Sequence, residues 1–424
     1  MKSSETIPQL GGGYAWFVWS LVVFFVVYLF SVQTGYAIIN PSLQKDLALT
    51  IEQVGITAAT YTWAFAFFQF YAGAILDQLG SNKVIPFAMA LVTLGVFTFA
   101  NATSFKTLLL SQILLALGSC FGFIGAGYIG GKWFGLEKFS FMFGLVQMIA
   151  TFTSAISQNL IGFALKQMDW RSLFIFVGAF GLGLTILGII YIKNPTPEED
   201  TSSKNPLEFF KIITKNLMDV VKIPHIWVAS MIGAGSFGVL LSLGVVYAPK
   251  LLIIRGASPD MAVFGSSMIW LGLAAGCLIV PWWSDYIQKR KLPILVGTII
   301  QFIAFTLLLY VPDLGIYFDL FLCLIFGFAN ANHMLTFSTS SDVVNPHQIG
   351  TSAAIVNGIM FIVGGLMIQA PGSRVVTGIE EGLKQGTMEM AAFAGLPLVI
   401  VLGVSIILAF ILKETYPKRS SGVF

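Results

Sequence analysis

Long apolar segments separated by short polar or Gly/Pro turns recur along the whole chain. Twelve such segments of 18 to 26 residues occupy 14–38, 53–76, 84–101, 107–130, 140–165, 171–192, 225–249, 262–283, 293–311, 317–339, 350–372 and 389–412. A helix needs about 20 apolar residues to cross the hydrocarbon core of a bilayer, and a helix satisfies its own backbone polar groups there. The pattern therefore predicts an all-α integral membrane protein with twelve transmembrane helices.

The longest polar stretch, residues 193–224, divides these segments six and six. We therefore expect an N-terminal six-helix bundle (1–192), a cytoplasmic linker (193–224) and a C-terminal six-helix bundle (225–424). Within the linker, Asn205 and Pro206 suit an N-cap and a first helical residue. Apolar side chains then recur at spacings of three and four, at Leu207, Phe210, Ile213, Leu217 and Val221. This spacing favours an amphipathic helix on the cytoplasmic membrane face, with a solvated linker helix as the alternative.

Composition points to the same class of protein. Only 10% of the residues are charged and mean hydropathy is +0.85, whereas soluble chains carry about 25% charged residues. The net charge of +3 comes from scattered basic residues, so we expect no nucleic-acid partner. The three cysteines lie in apolar segments without metal-ligand spacing, and we expect neither a metal site nor a cofactor.

The basic residues also predict the orientation. With both termini in the cytoplasm, fifteen of the 23 Lys and Arg residues fall in cytoplasmic segments and eight on the opposite side, in agreement with the positive-inside rule. The polar first thirteen residues and the absence of a convincing cleavage site argue against a signal peptide. We expect a multi-pass protein of the inner (plasma) membrane.

Two charged turns, each following the second span of a half, resemble one another. GAILDQLGSNK (73–83) is echoed by PWWSDYIQKRK (281–291). Together with six spans on each side of a long linker, these turns resemble the loop motif of the major facilitator superfamily. The motif residues are Gly73, Asp77, Gly80 and, one position late, Lys83 in the first half, and Asp285, Lys289 and Arg290 in the second. Gln78, Ser81 and Asn82 stand where the family usually has basic residues.

The resemblance implies two pseudo-symmetric bundles that rock against each other around a substrate near the bilayer midplane. It also implies that the motif residues gate this movement, with Asp77 beside a helix N-terminus. GGGYAWFVW and the Asn40–Pro41 turn are similar to the monocarboxylate and oxalate–formate carriers. Those carriers have a basic residue in the second-half helices, which the predicted spans 262–283 and 350–372 lack. The expected partners are a small-molecule substrate, a possible coupling proton and membrane lipid, bound by a monomer.

Uncharged polar residues have to form any substrate site, because no charged residue lies near the centre of a predicted span. A charge there costs about 2.5–3.5 kcal/mol and usually marks function. The clearest polar stripe is on the fifth predicted span (140–165), where Gln147, Thr151, Ser154 and Gln158 stand at i, i+4, i+7 and i+11. This stripe favours a wall of a polar cavity, and hydrogen bonding between helices is the alternative.

Other spans supply the remaining candidate ligands: Gln33, Tyr36, Tyr61, Asn330, His333 and Asn357. His333 is the only titratable side chain well inside a predicted span. Its ordinary pKa near 6.5 suits a proton switch, and a plain hydrogen-bonded histidine is the alternative.

A site of amides, hydroxyls, aromatic rings and one histidine suits a small neutral, zwitterionic or singly anionic solute. We therefore expect a secondary active or facilitative transporter. The alternatives are a proton-coupled exporter of amphipathic compounds and a transporter-like receptor without flux. The sequence has no catalytic constellation and no Walker-type GxxxxGK[ST] motif, so we expect neither an enzyme nor a primary pump.

Overall fold

A computed structural model describes residues 11–194, 206–312 and 314–416. Every regular element in these ranges is helical. The α-helices are α1 (Gly13–Asp46), α2 (Ile51–Leu79), α3 (Ser81–Ala100), α4 (Phe105–Ser119), α5 (Gly122–Phe134), α6 (Phe139–Ala164), α7 (Trp170–Tyr191), α8 (Pro206–Val221), α9 (Pro224–Ser242), α10 (Ala248–Ile254), α11 (Pro259–Ile287), α12 (Lys291–Tyr310), α13 (Ile316–Asn330), α14 (His333–Ser341), α15 (Ile349–Glu380) and α16 (Met388–Ile411). A π-helical turn, Leu243–Tyr247, joins α9 to α10.

Within the described ranges, ten helical segments are long and apolar enough to cross a membrane. Two of these segments are each made of consecutive helices, α4 with α5 and α13 with α14. Helices α2 and α6, with 29 and 26 residues, also have the length that a bilayer requires. The predicted all-α, multi-span membrane fold is confirmed. The count of twelve spans and the cytoplasmic termini stay predictions.

Helix starts agree with the predicted segments because polar side chains cap them. Thr50 and Gln53 form a capping box at the start of α2, with Gln53 N–H donating to Thr50 Oγ1 over 3.2 Å. Asp169 caps α7 by accepting from Ser172 N–H over 3.0 Å, and Ser258 caps α11. These side chains satisfy backbone donors that the first turn of a helix leaves unpaired.

Two helices continue eight residues beyond their predicted spans. The predicted turn at Asn40–Pro41 is wrong, because α1 continues past the predicted span end at 38 to Asp46. Its last turns carry the buried Leu43, and Asp46 accepts a 2.7 Å hydrogen bond from the Trp170 indole at the start of α7. Helix α15 likewise continues from the predicted end at 372 to Glu380. The added residues of both helices are too polar to belong to a predicted apolar segment, but their backbone is still helical.

Helix α8 covers the residues for which the sequence predicts an amphipathic linker helix, and its place at the cytoplasmic membrane face stays a prediction. Ile213 and Val220 are buried, and the Phe210 ring stacks on Tyr71 of α2 at 6.1 Å between centroids. The predicted N-cap, Asn205, lies outside the described residues.

The chain forms two compact units. The first runs to Val220 and also includes Pro346–Ala354, the segment that contains the start of α15. The second contains Val221–Asn345 and the chain from Ile355 onward. The division into bundles 1–192 and 225–424 remains a prediction.

Each unit contains a membrane segment interrupted in its middle. In the first unit, α4 ends at Ser119 and α5 begins at Gly122. In the second, α13 ends at Asn330 and α14 begins at His333. An interrupted helix leaves backbone groups that need other partners. Polar side chains gather at both interruptions.

Candidate functional site

Three side chains of the first unit meet at the interruption between α4 and α5. The Tyr61 side chain on α2 lies near Ser119 at the end of α4 and near Gln33 on α1. About two helical turns beyond Tyr61 on α2, Gln69 Nε2 donates to the Cys120 carbonyl oxygen over 3.2 Å. The structure thus brings the predicted ligands Gln33 and Tyr61 together around an uncharged, hydrogen-bonding cluster.

The polar stripe on α6 is present in its first half. Gln147 is buried, and its Nε2 donates to Thr151 Oγ1 over 3.1 Å. The side chains of Ser154 and Gln158 lie outside the described part of the structure. A neighbouring residue that the sequence analysis did not single out, Ser157, hydrogen-bonds to Ser31 of α1 at 2.7 Å.

A cavity of about 180 Å³ lies beside the Ser31–Ser157 pair. Apart from the two serines, all of its lining side chains are apolar: Val32, Leu160, Ile161, Leu173, Phe174 and Val177. Because the two hydroxyls already bond to each other, this cavity offers little to a polar solute and differs from the predicted polar site.

Tyr36 takes a different place from Gln33, although the two stand one turn apart on α1. Its ring lies 5.9 Å from that of Phe99, which also contacts Phe174 and Trp170. The Tyr36 hydroxyl is buried and has no hydrogen-bond partner among the described residues. Its ring belongs to an aromatic core between α1, α3 and α7.

A second polar network surrounds the interruption between α13 and α14. Asn330 Nδ2 donates to the Ser236 carbonyl over 2.8 Å, and the Ser236 hydroxyl donates to Gln301 Oε1. Asn332 Nδ2 also donates to Gln301 Oε1, over 3.3 Å. All four side chains are fully buried. This network ties α9 and α12 to the interrupted segment, and Asn330 is part of it.

His333 begins α14 and is also buried. Because a carbonyl only accepts, His333 Nδ1–H donates to the Asn330 carbonyl over 2.6 Å. The imidazole stacks on Phe237, with 4.8 Å between ring centroids. These contacts favour the hydrogen-bonded histidine over the proton switch. Asn357 is buried within α15.

Asp77, near the end of α2, caps the start of α15 within the first unit. Its Oδ1 accepts from Gly350 N–H over 2.9 Å. Its Oδ2 accepts from Thr351 N–H and from Thr351 Oγ1, each over 2.7 Å. A carboxylate is favoured at this position because the first turn of a helix presents unpaired N–H groups and positive partial charge.

Gly73 and Gly80 permit this contact. A Cβ at Gly73 would lie 1.9 Å from the Gly350 carbonyl oxygen and 2.7 Å from the Ala354 side chain. Gly80 joins α2 directly to α3 with φ of 77°, a conformation that favours glycine. Lys83 lies in the first turn of α3. Gly350 and Ala354 at the start of α15 therefore pack closely against Gly73 of α2.

Arg290, from the second charged turn, is completely buried. Its Nη1 donates to Asp285 Oδ1 over 2.5 Å, and its Nε lies 3.7 Å from Asp342 Oδ2. The guanidinium also covers the Tyr416 ring at 4.6 Å, and Glu414 Oε1 accepts from Arg290 N–H over 2.8 Å. The exposed Lys289 of the same turn contributes its carbonyl to Ser284 Oγ.

The carboxylates around Arg290 titrate differently. Burial raises the pKa of Asp342 to about 6, although the Arg290 charge and the hydrogen bond from Thr415 oppose this shift. Burial also acts to raise the pKa of Glu414, but donated backbone N–H bonds, among them that of Arg290, outweigh it and hold this pKa below its usual value. Within this cluster, the Asp342 carboxyl therefore changes charge near pH 6.

Sequence reasoning missed several of these residues. Thr351, Asp342 and Glu414 were not singled out, although each lies within a few residues of a span end where a polar group can find helix termini. Gln301 was missed because its helix has no polar stripe. The buried pair Arg255–Asp319, with Nε to Oδ2 at 2.8 Å, also had no sequence signal beyond an acid at a span start.

The sequence of this chain is similar to those of known transporters. The family model described as Major Facilitator Superfamily matches residues 17–369. The uncharacterized transporter YybO of Bacillus subtilis (strain 168) is 22% identical over 310 residues, covering 69% of this chain and 70% of YybO. The hexuronate transporter of the same organism is 23% identical over 276 residues, 61% of each chain, so the match spans less than two thirds of that relative.

Among solved structures, the major facilitator superfamily transporter FucP, crystallised in the outward conformation, is similar with a TM-score of 0.72. The superposition covers 95% of this chain and 100% of FucP, at 16% sequence identity. At this level of identity the likeness shows the fold.

Proposed function

Because this chain belongs to the Major Facilitator Superfamily, we propose that it is a secondary active or facilitative transporter of a small polar organic solute. The solute crosses the inner (plasma) membrane as two bundles alternate in access, the mechanism that such transporters use. Transport in general follows from the family, and the class of solute is the proposal.

The observation that carries the solute class is the uncharged cluster of Gln33, Tyr61 and Ser119. Its amide and hydroxyl groups can both donate and accept, as the hydroxyls of a substrate require. The neighbouring pair Gln147–Thr151 adds groups of the same kind. No fixed charge belongs to these residues, so they suit a neutral, zwitterionic or singly anionic solute. A hexuronate, the cargo in the name of one relative, is a singly charged polyhydroxy acid and falls in this class.

Uptake into proteoliposomes tests the proposal. The panel comprises hexuronates, neutral hexoses, short monocarboxylates and zwitterionic amino acids, with dicarboxylates as the class expected to fail. Tyr61→Phe removes one hydroxyl from the cluster, and we expect kcat/KM for the best solute to fall by about tenfold. Tyr317→Phe is the matched control because Tyr317 is 82% exposed. Equal uptake by the two variants would remove Tyr61 from the site.

The same preparation separates the alternatives. Saturable binding without flux for every solute would favour a receptor. Accumulation of amphipathic cations in inside-out vesicles, driven by a proton gradient, would favour an exporter. A preference for dicarboxylates would overturn the uncharged site.

We also propose that the two charged turns gate the cycle, through Gly73, Asp77, Gly80 and Lys83 in one and Asp285, Lys289 and Arg290 in the other. Support comes from Asp77, whose three hydrogen bonds all fall on the first turn of α15. A contact made by one carboxylate on one helix terminus can form and break as a unit.

A further inference from the structure

The exposed side of helix α8 has an apolar part and, beside it, a basic part. At about 100° per residue, Leu207, Phe210 and Met218 occupy an arc of about 80°, and all three are more than two-fifths exposed. The buried residues Ile213 and Val220 adjoin this arc, at about 60° and 80° from Phe210 on the same projection. The helix therefore buries one part of its apolar side in the protein and leaves the adjoining part largely exposed.

The basic residues of α8 lie directly beside this uncovered apolar arc. Lys211 and Lys215 are exposed and are separated by about 40° around the helix axis. Around the helix axis, Lys211 lies only about 20° from Met218. Lys222, one residue beyond the helix, continues the basic edge. Glu208 lies in the first turn, where an acid complements the helix dipole.

An apolar arc flanked by lysines matches the headgroup boundary of a bilayer, where acyl chains lie beside charged phosphates. A bilayer already surrounds this chain, since neighbouring helices cross it. Trp227, three residues into α9, is 41% exposed and donates its indole N–H to the carbonyl of Val221, the last residue of α8, over 2.7 Å. Exposed tryptophans are enriched at the membrane–water boundary.

We propose that α8 is an anionic-phospholipid binding element. Lys211 and Lys215 pair with lipid phosphates, while Leu207, Phe210 and Met218 lie among the upper acyl chains. The Phe210–Tyr71 stack connects this element to α2, six residues before Asp77. The inference depends on the membrane fold and is independent of which solute is carried.

Lipid titration of the purified full-length protein tests this proposal. Native mass spectrometry gives the apparent Kd for phosphatidylglycerol and, separately, for phosphatidylcholine. A lysine near an anionic surface is worth about fivefold in affinity, so Lys211→Gln combined with Lys215→Gln should weaken phosphatidylglycerol binding by about 30-fold. Phosphatidylcholine binding should not change. Glutamine is a good helix former, so α8 should remain helical.

Two further variants make the result specific. Lys138→Gln with Lys193→Gln makes the same charge change at exposed positions outside α8 and should leave phosphatidylglycerol binding unchanged. Replacing Lys211 and Lys215 by Arg should retain it. The proposal is overturned if the α8 pair and the control pair lose the same affinity, if the α8 pair loses none, or if the wild-type protein binds both lipids equally.

Discussion

Asp77→Asn should release the start of α15. The wild-type carboxylate accepts three hydrogen bonds, one on Oδ1 and two on Oδ2. An asparagine keeps one acceptor oxygen and turns an NH₂ group toward backbone N–H donors, so one or two of these bonds are lost. Hydrogen bonds to a charged group are worth about 1.5–3 kcal/mol each. We therefore expect the contact to lose about 2–4 kcal/mol, which corresponds to at least about 30-fold more frequent opening.

Hydrogen–deuterium exchange measures this opening without knowledge of the solute. The Gly350 and Thr351 amides lie in the first turn of α15, where no intrahelical acceptor exists, and Asp77 protects both. In Asp77→Asn, a peptide covering residues 346–354 should exchange at least about 30-fold faster. Thr351→Val removes only the hydroxyl bond and should give a smaller increase.

Asp260→Asn is the matched control, because Asp260 is exposed in the first turn of α11. It should leave exchange in 346–354 unchanged. If Asp77→Asn also leaves that exchange unchanged, the carboxylate does not hold α15 and the gating proposal for Asp77 fails. If exchange rises as expected, uptake should show slower turnover with little change in the affinity for solute.

Three other changes test separate features. Gly73→Ala should destabilise the protein by at least about 1–3 kcal/mol in thermal unfolding, since its Cβ would overlap a backbone carbonyl, whereas Gly183→Ala, with open space around it, should be nearly neutral. His333→Gln should leave the pH profile of uptake unchanged, because the imidazole is committed to a hydrogen bond and a ring stack; loss of pH dependence would make it a proton carrier. Folding raises the pKa of Asp342 to about 6. The contribution of its protonated carboxyl to the free energy of unfolding is therefore complete in acid and is lost as pH rises through 6. Asp342→Asn should therefore gain up to about 3 kcal/mol over wild type by about pH 8, seen as a widening difference in Tm, and a pH-independent difference would contradict the assignment.

Much of the fold could be predicted from the sequence because lipid constrains it so strongly. A segment that crosses hydrocarbon has to be apolar over about 20 residues and helical throughout. The starts of α2, α7 and α11 also carried local capping residues that mark them. The amphipathic α8 was predictable for a similar reason, since its apolar spacing and Pro206 act within a single helix.

The ends of α1 and α15 were less predictable, because hydropathy reports solvent and not hydrogen bonding. Helix α1 continues beyond its apolar span to Asp46, which bonds to Trp170, 124 residues away in the sequence. Gln33 and Tyr36 are both candidate ligands from the sequence, one helical turn apart on α1. In the folded unit, Gln33 meets Tyr61, whereas Tyr36 packs on Phe99.

The sequence by itself determined the all-α membrane fold, and it predicted that Asp77 lies beside a helix N-terminus. Only the tertiary structure decided which terminus that is, because Thr351 lies 274 residues further along the chain. The same holds for Arg290, which reads as part of an exposed charged turn and is buried among carboxylates from α11, the end of α14 and the residues after α16. Membrane insertion depends on the sum of local side-chain hydropathies, whereas a polar contact requires two particular groups to meet, and that is set by how distant helices pack.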